Sequence, residues 1–301
     1  MLKFFKLIRY QNLLLLALAQ LVFHFGFLKL QNIPLALQDW QFILLVIATV
    51  LIAAGGFLIN QVFEPRSDSA LIGDLFTEDK AYNYYAALNI VAVGIGFYLA
   101  NSIEKPSFAA VFVVASATLY VYATSLKQML LVGTIVVSML AAFSIIVIGL
   151  FDLFPVVTAE NQPLMAVLFQ ILVDYAVFTF TLLLIRALVK DLQNVNQDYN
   201  LGISTLPITL GAQRTSKLVF GLCLIPIALL VYYINTYIFE LQWAMGYAML
   251  FIVGPLLYLM IKMWGAKTTK DYQNLGIILQ MVLLFTILSI VVITINRQYY
   301  A

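Results

Sequence analysis

Apolar residues run along this chain in nine blocks, at about 11–28, 41–62, 83–101, 107–125, 129–150, 164–189, 217–237, 242–262 and 276–296. Each is close to the roughly 20 residues a helix needs to cross about 30 Å of hydrocarbon. Helices are the expected form, because a backbone polar group facing lipid has no partner outside its own segment. The pattern therefore predicts an all-α fold: a polytopic membrane protein of about nine transmembrane helices, with residues 1–301 forming one integral domain. The break between the fourth and fifth blocks is only a short turn near Lys127. Lys3, Lys6 and Arg9 precede the first block as in a secretory signal, but no small-residue cleavage site follows. They are expected to form an amphipathic lead-in to a retained first helix.

Composition strengthens this picture. The chain is 63% hydrophobic and 10% charged, against about 45–50% and about 25% in soluble domains. No polar or Pro/Gly/Ser-rich linker divides it. Cys223 is the single cysteine, which excludes an internal disulfide framework and a cysteine-built zinc site. No Gly-rich phosphate loop, no serine-histidine-acid set and no nucleic-acid motif is visible, so no nucleic-acid partner is expected.

The placement of charge predicts orientation. With the N-terminus in the cytoplasm, thirteen of the sixteen Lys and Arg residues fall on the cytoplasmic side, as the positive-inside rule requires. The other side receives Lys29, Lys105 and Arg297. Acids at Asp39, Glu104, Asp152, Glu160 and Glu240 fall in the outer loops, where solvation accounts for them. His24 lies in the first block and is expected to hydrogen-bond a neighbouring helix. Asp174 lies well inside the sixth block, where a charge is expensive, and is expected to face the bundle nearer its outer half.

Two cytoplasmic segments hold most of the remaining polar groups. The second of these reads Arg186, Lys190, Asp191, Asn194 and Asp198, followed by Gly202, Thr205, Pro207 and Gly211. Asp191, Asn194 and Asp198 are spaced i, i+3, i+7, which stacks them on one face of a continuing helix. Oxygen ligands beside basic side chains suit Mg²⁺ with a diphosphate. A solvated loop explains the same residues equally well. The other segment carries Asn60, Glu64, Arg66 and Asp68. Its i, i+4, i+8 spacing is interrupted by Pro65, which disfavours helix at Glu64, and here the solvated loop is the better reading. Ala53, Ala54, Gly55 and Gly56, just before Asn60, suit either close helix packing or room for a lipid tail. A transporter is the competing class, although such sites usually lie near the midplane on broken helices.

These residues resemble the UbiA-type family of intramembrane prenyltransferases. The likeness covers nearly the whole chain and is strongest at Lys190-Asp191…Asn194…Asp198…Gly202…Thr205-Leu206-Pro207…Leu210-Gly211. Within the family the chain is most similar to bacterial relatives of geranylgeranylglycerol-phosphate geranylgeranyltransferases. Leu7-Ile8-Arg9-Tyr10-Gln11-Asn12 and Tyr122…Ser125-Leu126-Lys127 add to that likeness. The resemblance implies Mg²⁺-dependent transfer of a polyprenyl group, geranylgeranyl for preference, from its diphosphate at the cytoplasmic face of a bacterial membrane. The acceptor would be a glycerol phosphate lipid or an aromatic ring, with membrane lipids as surroundings. It further implies Asp191, Asn194 and Asp198, together with Glu64 and Asp68, as metal ligands. Asn60 and Lys190 join Asp191 and Asp198 as catalytic residues, and Arg186, Lys127, Arg66, Arg9, Asn12 and Tyr122 become substrate contacts. The chain departs from the family at the first acidic motif, where Gln61 and Glu64 stand in place of the first two aspartates; a catalytically degenerate member is the corresponding alternative.

Overall fold

A computed structural model of the chain describes residues 7–63 and 78–300. Helix α1 spans Tyr10–Phe23 and continues through a π turn at His24–Leu28 and a 3₁₀ turn at Lys29–Gln31. It is followed by α2 (Asp39–Val62), α3 (Glu78–Ser102), α4 (Ala110–Thr124) and α5 (Val132–Asp152). The long α6 covers Gln162–Asn200, with the short α7 (Leu206–Leu210) and then α8 (Ala212–Leu222) and α9 (Leu224–Tyr233) behind it. Helices α10 (Gln242–Ala248), α11 (Gly254–Gly265) and α12 (Thr269–Tyr300) complete the order, and no strand occurs among the described residues. Nine helical stretches among the described residues are long and apolar enough to cross a membrane. They coincide one for one with the nine apolar blocks, and the chain is an integral membrane protein.

Local chemistry starts these helices where the apolar blocks begin. The Gln38 amide donates to the Gln41 side chain at the head of α2. Thr158 and Asn161 exchange backbone-to-side-chain bonds of 2.7 and 3.4 Å just before α6. Thr268 and Asp271 do the same at the head of α12, where the Asp271 carboxylate accepts from the Lys267 and Thr268 amides. Each pair satisfies amide donors that a helix start leaves orphaned.

The chain folds into two compact units. The first comprises 1–21, 32–127 and 143–173. Here α2 packs against α3 and α4, and its small residues decide how closely. A Cβ on Gly56 would stand 2.7 Å from a Leu119 methyl carbon, and one on Gly55 would stand 2.9 Å from the Asn89 amide nitrogen. The small residues at 53–56 thus serve helix packing. Asn89 accepts a 2.6 Å bond from the Ser116 hydroxyl and donates to the Tyr85 carbonyl, tying α3 to α4. Gln20 donates to Thr49 and to the Ser144 carbonyl.

Asp152 departs from expectation. Asp39, Glu104, Glu160 and Glu240 are exposed, but Asp152 is fully buried. It is the last residue of α5, and its carbonyl accepts the Ala36 amide at 2.9 Å. The segment before α2 therefore covers it, a long-range contact that local spacing does not encode.

The second unit comprises 22–31, 128–142 and 174–301. Its axis is α12, whose buried residues Leu275, Leu279, Val282, Thr286 and Ser289 face the unit's interior. Ser289 shares a 2.7 Å bond with the Tyr175 hydroxyl on α6. His24 is fully buried where the π turn of α1 begins, and Gly26 in that turn lies against Val291 of α12. Asn296 accepts from the Ala244 amide at 3.0 Å, so α12 itself caps the first turn of α10.

Candidate active site

In the second unit α6 continues unbroken past its apolar stretch to Asn200. At about 100° per residue, Asp191, Asn194 and Asp198 fall within an arc of about 60° on one face. Lys190 lies about 40° beyond that arc and Arg186 a further 40° round. Asp191 and Asn194 are half-buried, Lys190 is exposed, and Asp198 is 0% exposed. The Arg186 guanidinium donates to the Gln280 side-chain oxygen on α12 at 3.3 Å, which ties the basic turn of α6 to a second helix. Gln280 sits within a long apolar block, and its isolation there was the signal that could have marked it.

The end of α6 is built to hold Asp198 in place. Gly202 adopts φ +68, a left-handed conformation. The Ile203 amide reaches back to the Asp198 carbonyl at 3.0 Å and the Gly202 amide to the Tyr199 carbonyl at 3.2 Å. These are the two bonds of a Schellman cap, so Asp198 sits in the last hydrogen-bonded turn. The chain then turns into α7, whose N-cap residue is Thr205 and whose first turn contains Pro207, a placement that the missing Pro N–H permits. The Thr205 hydroxyl is buried with no hydrogen-bond partner. Gly211, at φ +85 and ψ 145, joins α7 to α8 in a conformation that is essentially open to Gly alone.

Two carboxylates and an amide oxygen on one face suit Mg²⁺, which takes one or two carboxylates and completes its shell with water and phosphate oxygens. The carbonyl end of a helix also favours a cation. Among the described residues no cluster of three or more His, Cys, Asp or Glu is gathered, so the fit is to a two-carboxylate site shared with a phosphate and not to a closed protein cage.

In the first unit the sequence-derived residues gather at one end. The Arg9 guanidinium lies 5.6 Å from the centroid of the Phe57 ring on α2, one turn before Asn60. Leu7 packs with Leu58 and Ala81, backed by Val62 and Tyr85. Phe63, just after α2, meets Tyr82 of α3 and Tyr120 of α4 edge-on at 6.1 and 6.5 Å. The start of α1, the end of α2, the start of α3 and the end of α4 therefore converge. Asn60 and Gln61 are 6% and 5% exposed, and the Gln61 side-chain oxygen has no hydrogen-bond partner. Asn12 and Tyr122 are half-buried. Lys127 lies in the 3₁₀ turn Leu126–Gln128, with its ammonium nitrogen buried. The remaining residues of the first motif, Glu64, Arg66 and Asp68, lie outside the described residues.

Comparison with known proteins agrees with this architecture. The family model described as the UbiA prenyltransferase family matches residues 21–290. The digeranylgeranylglyceryl phosphate synthase of Saccharolobus solfataricus is 28% identical over 282 residues, which cover 91% of this chain and 93% of the relative. Its namesake from Sulfurisphaera tokodaii is 28% identical over 214 residues, covering 70% of this chain and 71% of the relative. A solved structure of a UbiA homologue from Archaeoglobus fulgidus, bound to DMAPP and Mg²⁺, superposes with a TM-score of 0.64 at 15% identity. That superposition covers 96% of this chain and 99% of the other. With a family match across nearly all of its length and a nine-span helical fold to go with it, this chain belongs to the UbiA prenyltransferase family.

Proposed function

We propose that this prenyltransferase moves a geranylgeranyl group from its diphosphate to the hydroxyl of a glycerol phosphate lipid, at the cytoplasmic face of the membrane. The observation that carries the reading is the capped end of α6, where Asp191, Asn194 and Asp198 share one face beside Lys190. The names of the relatives support the acceptor: both are digeranylgeranylglyceryl phosphate synthases.

In the proposed reaction the allylic carbon–oxygen bond breaks and the diphosphate leaves with the electron pair. The acceptor oxygen bonds to that carbon, and its proton passes to the released diphosphate or to water. Asp191, Asn194 and Asp198 would hold Mg²⁺, with Glu64 and Asp68 contributing from the first motif. Bound there, Mg²⁺ supplies neutralisation of the charge that builds on the departing diphosphate. Lys190, Arg186 and Arg66 offer charged donors to the phosphate oxygens, and Gln280 ties Arg186 to α12. Lys127, Arg9, Asn12, Asn60 and Tyr122 are proposed as further contacts to diphosphate and acceptor. Aromatic faces stabilise cations, so an allylic carbon bearing positive charge is best held against aromatic rings.

The test supplies radiolabelled geranylgeranyl diphosphate to purified protein with a panel of acceptors, with and without Mg²⁺. A labelled ether from a glycerol phosphate lipid, lost when Mg²⁺ is chelated, is the expected result. A product formed only with an aromatic acceptor would overturn the acceptor assignment. The absence of product with every acceptor would overturn the reading and mark the altered first motif as inactivating.

A further inference from the structure

Helices α11 and α12 line an open surface groove of about 390 Å³, formed by Gly254, Pro255, Tyr258, Ile278, Met281 and Phe285. Its position follows from the sequence. Gly254 and Pro255 present little side chain at the start of α11, and Ile278, Met281 and Phe285 stand at i, i+3, i+7 on α12. Gln280, which holds Arg186, points to another side of α12, about 100–160° from the groove residues. The groove is therefore separate from the acidic face of α6. It opens outward, since Tyr258 and Met281 are 52% and 50% exposed. At one end Phe285 belongs to a group of tilted rings, 4.9 Å from Phe251, which is 5.0 Å from Tyr247.

The opposite end is basic. The Lys262 ammonium sits 5.6 Å above the Tyr258 ring, on the groove's own wall. Along α12 the ridge Phe285–Met281–Ile278 continues at helical spacing to Asn274 and Lys270, both exposed. On another side of α11, Lys217 of α8 lies 5.6 Å from the Trp264 ring. Trp264 is 62% exposed, as expected of an aromatic belt residue at a membrane interface. One acid, Asp271, accepts the two amides that cap α12 and lies close enough to Lys262 to feel its charge, so the lysines at 262, 267 and 270 outnumber it three to one. An apolar groove along the hydrocarbon thus leads toward Lys262 and Lys270 at the interface. We infer that this groove binds an anionic glycerophospholipid of the surrounding bilayer, with an acyl chain between Tyr258 and Met281 and its phosphate on Lys262 and Lys270. A zwitterionic lipid fills the same apolar volume without the electrostatic attraction, so the lysines make the site selective for net negative charge.

Native mass spectrometry of the intact purified protein with phosphatidylglycerol or phosphatidylcholine of identical chains tests this. Wild type should hold phosphatidylglycerol in clear preference. The pair Lys262→Gln and Lys270→Gln should lower its occupancy on the order of tenfold, since each lysine near the surface contributes several-fold, and should leave phosphatidylcholine unchanged. Met281→Trp, which fills the groove, should lower occupancy by both lipids. Mg²⁺-dependent geranylgeranyl diphosphate binding checks that each variant is folded and should be unaffected in all of them. Equal retention of the two lipids by wild type would overturn the inference. So would an unchanged preference in the double-lysine variant, or displacement of phosphatidylglycerol by geranylgeranyl diphosphate.

Discussion

Asp198 brings a carboxylate into a position with no exposed surface, in the last turns of a 39-residue helix. Burying an ionisable group is costly unless a partner or ligand compensates. As a proposed ligand of the Mg²⁺ that holds the diphosphate, Asp198 is expected to matter to turnover, and Asp198→Asn should lower prenyl transfer on the order of 100-fold. Radiolabel transfer assays check this, with circular dichroism showing helical content unchanged. Arg186 differs, because its guanidinium is held by Gln280. Gln280→Leu should raise KM for the prenyl diphosphate several-fold and leave kcat within about twofold, the pattern of a lost binding contribution; steady-state kinetics separate the two constants. The acidic trio is legible in the sequence because a 3.6-residue period is a local rule. The pairing of Gln280 with Arg186 is not, because the two lie 94 positions apart. Asp152 misled for the same reason: its cover comes from the segment around Ala36.

Among the elements, the end of α6 shows how backbone conformation fixes a site. Gly202 at φ +68 makes the Schellman cap possible. A β-branched residue is strongly disfavoured in that conformation, at a cost of about 1–2 kcal/mol. Gly202→Val should therefore loosen the last turn and reduce turnover on the order of tenfold, with the melting temperature in detergent only slightly lower. Both quantities are measured on one preparation. At the packed face of α2 the balance reverses. Gly56→Leu would drive a side chain into Leu119, and overpacking of this kind costs about 1–3 kcal/mol. A clear fall in thermal stability is expected there, read from the aggregation temperature in detergent. The Gly-rich stretch before Asn60 left packing and a lipid tail both open on composition alone, since spacing does not say what lies opposite. Leu119 and Asn89 supply the answer.

For the whole molecule, all nine spans were legible because a run of about 20 apolar residues is a sufficient physical signal for a membrane helix. What the apolar blocks do not carry is the fine structure inside them. The π turns at His24–Leu28, Ile234–Ile238 and Met249–Val253 leave the average hydropathy untouched and depend on neighbouring packing. If the acidic face of α6 handles the prenyl diphosphate, that face must couple diphosphate binding to Mg²⁺. Equilibrium binding of geranylgeranyl diphosphate to wild type, Asp191→Asn and Asp198→Asn is followed as a function of Mg²⁺ concentration. Wild type should bind in a Mg²⁺-dependent manner, and both variants should lose that dependence. Wild-type Mg²⁺ dependence retained in either variant would contradict this role of α6.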